Sequence, residues 1–271
     1  MSDFLDTMAE ASARRAWQAK SAATRNGLRS RTVSAPPPRP LELGESGFDV
    51  IAEAKLASPA QGALIEGDDD TTVVELAADF VEHGAVAISV LTEETQFRGS
   101  LDHLEAVSAA VRAPVMRKDF LVDPIQVDEA RAAGASGVLL IARLLPGALL
   151  TEMTDRALAL GLFVLVEVFD RSDLETAAVV FDREVLVGVN SRDLATLDVD
   201  RTRLRALAPH LPDGLPAVAE SGIRSERDAV AICGLGYRLA LVGSSLVTAN
   251  RPGPALAELV AAGRSVLTGS R

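Results

Sequence analysis

Short apolar runs alternate with longer amphipathic stretches from residue 48 onward. Near-continuous apolar runs are typical of strands buried on both faces, as in a parallel sheet covered by helices. The stretches between them have helical periodicity, and several end in glycine, the usual C-terminal stop of a helix. The eight predicted strands cover residues 48–54, 86–91, 114–117, 137–141, 162–168, 185–189, 216–220 and 239–243.

Eight β/α units in a segment of about 220 residues indicate the fold class. An α/β protein with this many units at this length is predicted to be a closed (β/α)8 TIM barrel. An open, doubly wound parallel sheet is the alternative, because sequence alone does not show whether the sheet closes.

The N-terminal segment differs from the rest of the chain. A helix is predicted over roughly Ser2 to Ala23, and the consecutive prolines within Ala35–Pro40 forbid helix and favour an extended linker. We therefore predict an N-terminal helical arm with a Pro-rich linker at residues 1–45 and a barrel catalytic domain at residues 46–271. The arm is either a disordered tail or an extension that packs over the barrel, and Trp17, the only tryptophan, favours packing.

The composition narrows the class of protein. The chain has 271 residues, of which 48% are hydrophobic, enough for one large core. It contains neither a run of about eighteen apolar residues nor an apolar signal segment at its N-terminus, so we predict no membrane partner and no secretion. The lone cysteine, Cys233, cannot form an internal disulfide, and we interpret it as a structural thiol near a helix end in a cytoplasmic protein.

The charged residues point to the kind of partner. A formal net charge of −11 argues against nucleic acid, because phosphate backbones attract basic surfaces. A small anionic phosphorylated substrate is compatible with it, provided that positive charge is concentrated locally. Lys and Arg total 27, yet only three are lysine, and Lys55 and Lys118 stand at the ends of predicted strands. Because lysine, unlike arginine, can exchange its proton, these two are candidates for acid–base chemistry. Whether the protein is a monomer is left open by the sequence.

Polar residues gather at the C-terminal ends of six predicted strands, where the active site of such barrels lies. They are Glu53, Lys55 and Ser58 at the first strand, Lys118 at the third, Glu167 at the fifth, Asn190 and Arg192 at the sixth, Glu220 and Ser221 at the seventh, and Ser244 at the eighth. A carboxylate inside an apolar strand, such as Glu167, is costly to bury unless it is paired. This convergence favours general acid–base chemistry, with a structural salt-bridge network in the barrel mouth as the alternative.

Glycines follow the last two predicted strands. Gly222 and Gly243, the latter followed by Ser244, would free backbone N–H groups to bind an anion where barrels commonly hold a phosphate. Glycine-rich turns are common in any β/α fold, so an ordinary tight turn is the alternative interpretation.

No metal site or cofactor is predicted. His83, His103 and His210 are interpreted as surface or helix-end residues, and no glycine-rich dinucleotide fingerprint follows the first strand. We therefore expect a reaction that runs without a cofactor.

Seven segments carry a resemblance to a known family. They read IAEAKLASP, ISVLTEETQFRGSLDHL, VMRKDFLVDPIQVDEARAAGASGVLLI, LVEVFD, VGVNSRDL, AESGI and LVGSSL. In this order they resemble the indole-3-glycerol phosphate synthase family. The resemblance implies a (β/α)8 barrel, often with an N-terminal helical extension over its mouth. It also implies a carbon–carbon lyase of tryptophan biosynthesis, which converts 1-(2-carboxyphenylamino)-1-deoxyribulose 5-phosphate to indole-3-glycerol phosphate with loss of CO2 and water.

The resemblance also implies roles for single residues. Lys118 would be the general acid in ring closure, Glu167 would exchange a proton in the dehydration, and Lys55 would hold the substrate. The other catalytic residues by resemblance are Glu53, Asn190, Glu220 and Ser221. The substrate-binding residues by resemblance are Ser58, Phe120, Arg192 and Leu194, with Gly222, Gly243 and Ser244 at the phosphate.

One position departs from the family pattern. The family usually has a second basic residue after the first-strand lysine, whereas Leu56 follows Lys55 here, so a positive charge near the anion site is expected to be missing. Either the change is peripheral, or the chain is a paralogue that acts on a modified substrate in a specialised indole pathway. Two further alternatives are another phosphate-binding barrel enzyme, such as an isomerase of the same pathway, and a non-catalytic barrel that only binds phosphate.

Overall fold

Eight strands of the chain form a closed sheet. The computed structural model describes residues 4–22, 27–44, 47–65, 70–194 and 196–268. Within them, eight parallel strands each pair with the next along the chain, and the last pairs with the first. Strands β1 to β8 are, in order, Asp49–Ala54, Ala87–Leu91, Val115–Lys118, Gly137–Ile141, Phe163–Val168, Leu186–Asn190, Ala217–Glu220 and Leu239–Val242. The predicted (β/α)8 barrel is confirmed, and the open-sheet alternative is wrong.

Helices cover the outside of the barrel. Helices α1 to α12 are, in order, Phe4–Ala22, Leu28–Ser34, Asp70–Glu82, Glu94–Phe97, Leu101–Ala110, Pro124–Ala132, Gly147–Ala159, Arg171–Ala177, Thr202–Leu207, Glu226–Gly234, Ser244–Val247 and Pro252–Thr268. A short hairpin, Ala57–Ser58 with Gly62–Ala63, follows β1. In the part of the chain that the structure describes, no helix is both long and apolar enough to cross a membrane.

Several of these helices begin at side-chain caps. The oxygen of an Asp or Ser side chain accepts a hydrogen bond from a backbone N–H group of the first turn, which would otherwise lack an acceptor. Ser100, Asp123, Asp170 and Ser225 cap α5, α6, α8 and α10 in this way. At α6 the Gln126 side chain bonds back to the Asp123 N–H and completes a capping box, so the loop after β3 meets its helix at a fixed angle.

Alternation along the strands separates two apolar layers. One set of strand residues packs outward against the helices, and the other fills the barrel interior. The interior set includes Ile51, Met116, Leu165 and Val218. Two residues further along the same strands, the inward positions hold Glu53, Lys118, Glu167 and Glu220. The apolar interior therefore ends in a layer of charged side chains at the C-terminal ends of the strands.

The arm packs on the barrel through one face of α1. Leu5 and Met8 are buried and join the apolar cluster of the barrel interior, and the ring of Phe4 lies edge-on to Phe120 with 6.0 Å between centroids. Trp17 contributes nothing to this packing, because it is 69% exposed. The arm does pack on the barrel, but Trp17 was the wrong reason to expect it. Leu5 and Met8 face the barrel instead.

The linker after α2 runs along the other end of the barrel. The Arg39 N–H donates to Ser136 Oγ at 3.0 Å, and the Gly44 N–H donates to Asp49 Oδ2 at 2.7 Å, just before β4 and at the start of β1. Leu41 and Leu43 pack against the interior apolar cluster. The linker is thus extended, as its prolines predict, and it is attached to the barrel by backbone hydrogen bonds.

Candidate active site

A cavity of about 670 Å³ opens at the C-terminal ends of the strands. All but one of the residues predicted for the site line it: Glu53, Lys55, Lys118, Phe120, Glu167, Asn190, Arg192, Leu194, Glu220, Ser221, Gly222, Gly243 and Ser244. They come from β1, β3 and β5 to β8 or from the loops after them, so the barrel brings together residues that are far apart in the sequence. Its size suits a small phosphorylated molecule.

Ser58 is the residue that the structure does not bring into this group. It lies on the hairpin after β1, and its hydroxyl is buried without a hydrogen-bond partner in the described part of the chain. Ala60 and Gln61, between the two strands of the hairpin, line the cavity instead.

Leu56 does not face the cavity either. Its side chain is 2% exposed and packs in the apolar layer between the barrel and its helices. The physical reason is the alternation of β1, which turns Glu53 and Lys55 inward and leaves the next residue pointing outward. The residue that departs from the family pattern is therefore not part of the cavity wall.

Two ammonium groups and three carboxyl groups meet at the base of the cavity. Lys55 Nζ lies 2.6 Å from Glu53 Oε1. Lys118 Nζ lies 3.5 Å from Glu53 Oε2 and 3.9 Å from an oxygen of each of Glu167 and Glu220. These five side chains, with at most about a fifth of each exposed to solvent, form one charge cluster, named here the Lys118 cluster.

The Lys118 cluster sets the protonation of its members. Burial alone would lower the pKa of Lys118, but Glu53, Glu167 and Glu220 outweigh it and raise that pKa above its usual value. Burial alone would raise the pKa of Glu53, but Lys55 and Lys118 hold it below its usual value. Lys118 is therefore an ammonium and Glu53 a carboxylate at neutral pH. The carboxyl neighbours of Lys118 thus move its pKa away from neutrality.

Glu220 behaves differently from Glu53. Burial and the neighbouring Glu167 raise its pKa well above the usual value, and Lys118 offsets only part of this. Within the described residues, no donor reaches Glu167 Oε2 or either carboxyl oxygen of Glu220. The Glu220 carboxyl group therefore lies in surroundings that favour its protonated form more than those of Glu53 do.

Gly188 makes room for this pair, and sequence reasoning did not select it. It occupies an inward position of β6, the strand between those of Glu167 and Glu220. A Cβ atom at residue 188 would lie 2.1 Å from Glu220 Oε1 and 3.0 Å from Leu165 Cδ1. The available signal was a glycine inside an apolar strand, which often marks a close approach of another group. Gly243 likewise makes room for Glu53, because a Cβ atom at residue 243 would lie 2.4 Å from Glu53 Oε1.

The turns after β7 and β8 line the opposite side of the cavity from β3. Ser221 and Gly222 both have left-handed φ angles, 65° and 78°, and the hydroxyl of Ser191 donates to the Ser221 carbonyl at 2.9 Å. A non-glycine residue in this conformation is strained, and such strain is concentrated at functional sites. Gly243 precedes α11, and its carbonyl accepts hydrogen bonds from the N–H groups of Leu246 and Val247 at 2.9 and 3.0 Å.

Arginines contribute positive charge near the same turns. The Arg192 side chain donates to the Leu197 carbonyl at 2.6 Å, and its backbone N–H donates to Asn190 Oδ1 at 2.9 Å. Burial lowers the pKa of Arg192, Glu53 raises it and the nearby Arg224 lowers it again. Arg224 also lines the cavity, although sequence reasoning passed over it within the ESGIRS segment.

The histidines lie away from the cavity wall. His210 is exposed, and His83 is partly buried beside Asp79. His103, interpreted as a surface or helix-end residue, is in the first turn of α5 but is buried, with Nε2 3.6 Å from an Asp70 carboxylate oxygen. The helix-end part of that interpretation holds, whereas the surface part is wrong, because α5 turns this residue away from solvent.

Solved structures similar to this one share the barrel. The 3-hexulose-6-phosphate synthase from Salmonella typhimurium superposes with a TM-score of 0.65 and 12% identity, over 81% of this chain and 100% of that one. The phosphoribosylanthranilate isomerase from Thermotoga maritima gives a TM-score of 0.57 and 13% identity, over 80% of this chain and 99% of that one. At such low identities these likenesses establish the fold alone.

Sequence relatives are more specific. A family model described as indole-3-glycerol phosphate synthase matches residues 8–259. The indole-3-glycerol phosphate synthase of Mycolicibacterium smegmatis is 46% identical over 238 residues, which is 87% of this chain and 86% of the relative. That of Mycobacterium tuberculosis is 44% identical with the same coverage. The chain belongs to the indole-3-glycerol phosphate synthase family.

Proposed function

We propose that this protein converts 1-(2-carboxyphenylamino)-1-deoxyribulose 5-phosphate to indole-3-glycerol phosphate, CO2 and water, as a lyase of tryptophan biosynthesis. The family match over residues 8–259 supports this reaction. The observation that carries the proposal is the Lys118 cluster, in which one ammonium group faces three buried carboxyl groups at the end of the barrel. A purely structural barrel has no need of such a costly arrangement.

Ring closure needs a proton at the substrate ketone. The ring carbon that carries the carboxylate attacks the ketone carbon, a carbon–carbon bond forms, and the ketone oxygen becomes a hydroxyl group. We assign this proton to Lys118, because its raised pKa keeps it loaded at neutral pH and the developing alkoxide is a far stronger base. Glu53 holds the ammonium in place and, with Asn190, stabilises the charge that develops.

Decarboxylation and dehydration then follow. The bond to the carboxylate breaks, CO2 leaves and the electron pair restores the aromatic ring. The hydroxyl group takes a second proton and leaves as water, and the methylene group beside the nitrogen loses one proton. Glu167 exchanges these protons, and the neighbouring Glu220, whose raised pKa favours its protonated form, supports this exchange. Overall one proton is taken up from solvent, which balances the carboxylate lost as CO2.

Binding of the two ends of the substrate is divided between the walls of the cavity. The backbone N–H groups of Gly222, Gly243 and Ser244, beside Ser221, suit the phosphate, since they belong to the turns after β7 and β8 that line the cavity. Lys55 lies between this wall and Glu53 and holds the anionic substrate. The aromatic end suits the wall formed by Phe120, Arg192 and Leu194. Contact of Ser58 with the anthranilate end would need the hairpin to move.

The remaining parts of the proposal concern the whole chain. Residues 1–45 act as an arm over the catalytic domain of residues 46–271. The protein works in the cytoplasm on a small phosphorylated substrate and takes neither nucleic acid nor membrane as a partner, as its acidic charge and single buried cysteine suggest. Phosphate binding is part of this proposal.

The specialised-pathway alternative loses the observation on which it stood. It rested on Leu56 as a missing positive charge, and that side chain is buried outside the cavity. Substitution at residue 56 therefore gives no reason to expect a modified substrate ring.

The test is a fluorescence assay for the indole product with the purified protein and the carboxyphenylamino substrate. Lys118→Met keeps the length of the side chain and removes the proton, so turnover should fall by a factor of about 10² or more. Lys20→Met, at an exposed lysine of the arm, is the matched control and should keep full turnover. No product from the wild type, or equal turnover in the Lys118 variant, would refute the proposal.

A further inference from the structure

The loop that follows Lys118, the last residue of β3, is attached to the arm through Asp119. This aspartate is the next residue after Lys118, and its side chain is completely shielded from solvent. Its carboxylate accepts four hydrogen bonds. The donors are Arg15 Nη2 and the Phe120 N–H, each 2.8 Å from Oδ1, and Thr92 Oγ1 at 2.8 Å and Arg117 Nη2 at 3.1 Å from Oδ2. Among these donors, Arg15 is the one that comes from the arm.

The two guanidinium groups on Asp119 are not equivalent. Arg117 is fixed within the barrel wall, because it also donates to Thr92 Oγ1 at 3.0 Å and to the Gln126 carbonyl at 2.8 Å. Arg15 lies on α1, and its side chain is 22% exposed. Burial alone would raise the pKa of Asp119, but Arg117 and Arg15 hold it below its usual value. Without Arg15, Oδ1 would keep a single donor, the N–H of the following residue.

The same loop is held by apolar contacts from the arm. The ring of Phe120 lies 6.0 Å from that of Phe4 and 6.3 Å from that of Phe97. Leu5 and Met8 pack in the same apolar cluster as Phe120. The residues on the C-terminal side of Lys118 are therefore enclosed by α1 on one side and by the barrel on the other.

The other two ion pairs between the described residues of arm and barrel have a different character. Lys20 Nζ lies 2.5 Å from Asp123 Oδ2, but its side chain is 55% exposed. The Arg31–Glu105 ion pair is 3.1 Å long and half exposed on both sides. Exposed pairs of this kind contribute little, since solvent screens them. Neither pair involves a residue adjacent to Lys118 in the chain.

We propose that Arg15 is a positioning residue for catalysis. Its ion pair with the buried carboxylate of Asp119 fixes the loop that follows Lys118. The inference rests on the proposed function, in which Lys118 delivers a proton. It follows that docking of the arm on the barrel also positions Lys118, the general acid. Displacement of a catalytic group by 1 Å can cost a factor of about 10² in rate, so the pair with Arg15 has a direct effect on turnover.

The experiment compares two methionine substitutions in the arm of the full-length protein. Arg15→Met removes the charge and keeps the side-chain stem, and Lys20→Met does the same at the exposed pair. We expect kcat of Arg15→Met to fall by about tenfold or more, while Lys20→Met keeps kcat within about twofold. Arg15→Lys, which restores the charge, should recover part of kcat. Thermal unfolding is measured for all three, so that loss of folded protein is not mistaken for loss of rate.

The outcomes separate this inference from the proposed function. An inactive wild type overturns the function and the inference with it. An active wild type with kcat of Arg15→Met within about twofold of the Lys20→Met control overturns the inference alone. If Arg15→Met does not fold, Arg15→Gln, which keeps a polar side chain at this partly exposed position, must show the same loss of kcat.

Discussion

Substitution of Gly188 by alanine tests the architecture of the Lys118 cluster with a single methyl group. Gly188 lies in β6, where its extended backbone is open to any residue, so the change introduces no backbone strain. The added Cβ would lie 2.1 Å from Glu220 Oε1 and 3.0 Å from Leu165 Cδ1. The first distance is far below van der Waals contact, so the carboxyl group of Glu220 must move away from Glu167.

The expected magnitude has two parts. Overpacking of a well-packed interior costs about 1–3 kcal/mol of unfolding free energy, which for a domain of this size lowers Tm by roughly 2 to 12 °C. Displacement of the Glu220 carboxyl group also disturbs its placement beside Glu167 and Lys118, so we expect kcat to fall by about tenfold or more while the protein stays folded. Thermal unfolding gives the first quantity and product fluorescence gives the second.

Gly234→Ala is the matched control. Gly234 ends α10, and a Cβ atom there would have no neighbour within 4 Å. Alanine at a helical glycine with free space should leave stability unchanged or raise it by up to about 1 kcal/mol, with no effect on kcat. If Gly188→Ala matched this control in both Tm and kcat, the close pairing of Glu167 with Glu220 across β6 would be refuted.

Two further substitutions examine the cluster and the residue that departs from the family pattern. Glu220→Gln mimics the protonated carboxyl group. The raised pKa of Glu220 means that, above the ordinary value of 4.5, the folded protein binds this proton more tightly than the unfolded chain does. The contribution of Glu220 to wild-type stability therefore falls as pH rises. Urea unfolding should show Glu220→Gln gaining stability relative to wild type in the same direction. An unchanged difference across pH contradicts this. Leu56→Ala should cost about 2–5 kcal/mol but change KM by less than about twofold, whereas a large change in KM would place residue 56 at the substrate.

The fold was predictable because its signals are local and repeated. Eight apolar runs separated by helical stretches are sufficient to predict a barrel, and the spacing of Glu53 and Lys55 predicts that both face inward at the end of β1. The site followed from the fold, since in a parallel barrel all strand ends lie on one face. Its composition could therefore be predicted without knowledge of any distance.

Contacts between distant segments were not predictable in the same way. A glycine inside a strand has several meanings, and the place of Gly188 between two carboxyl groups depends on the register of three strands. The sequence does contain a signal for the face of the arm that packs on the barrel. Leu5, Met8 and Ala16 recur at helical spacing and are buried, whereas Trp17, chosen for its size, lies outside that stripe and is exposed.

The charge of the site depends on these long-range contacts. The chain is acidic by 11 charges, yet its substrate carries both a carboxylate and a phosphate, so the cavity must present positive charge locally. Lys55, Lys118, Arg192 and Arg224 supply it, but acidic side chains of similar number line the same wall. Two of those acids are balanced by contacts away from the substrate. Burial and the neighbouring Glu167 raise the pKa of Glu220 and so favour its uncharged form, and Asp119 is paired with guanidinium groups that include Arg15 of the arm. Removal of the arm would therefore leave Asp119, beside Lys118, with Arg117 as its one remaining guanidinium partner among the described residues, which is a second, electrostatic reason to expect that arm and chemistry are coupled.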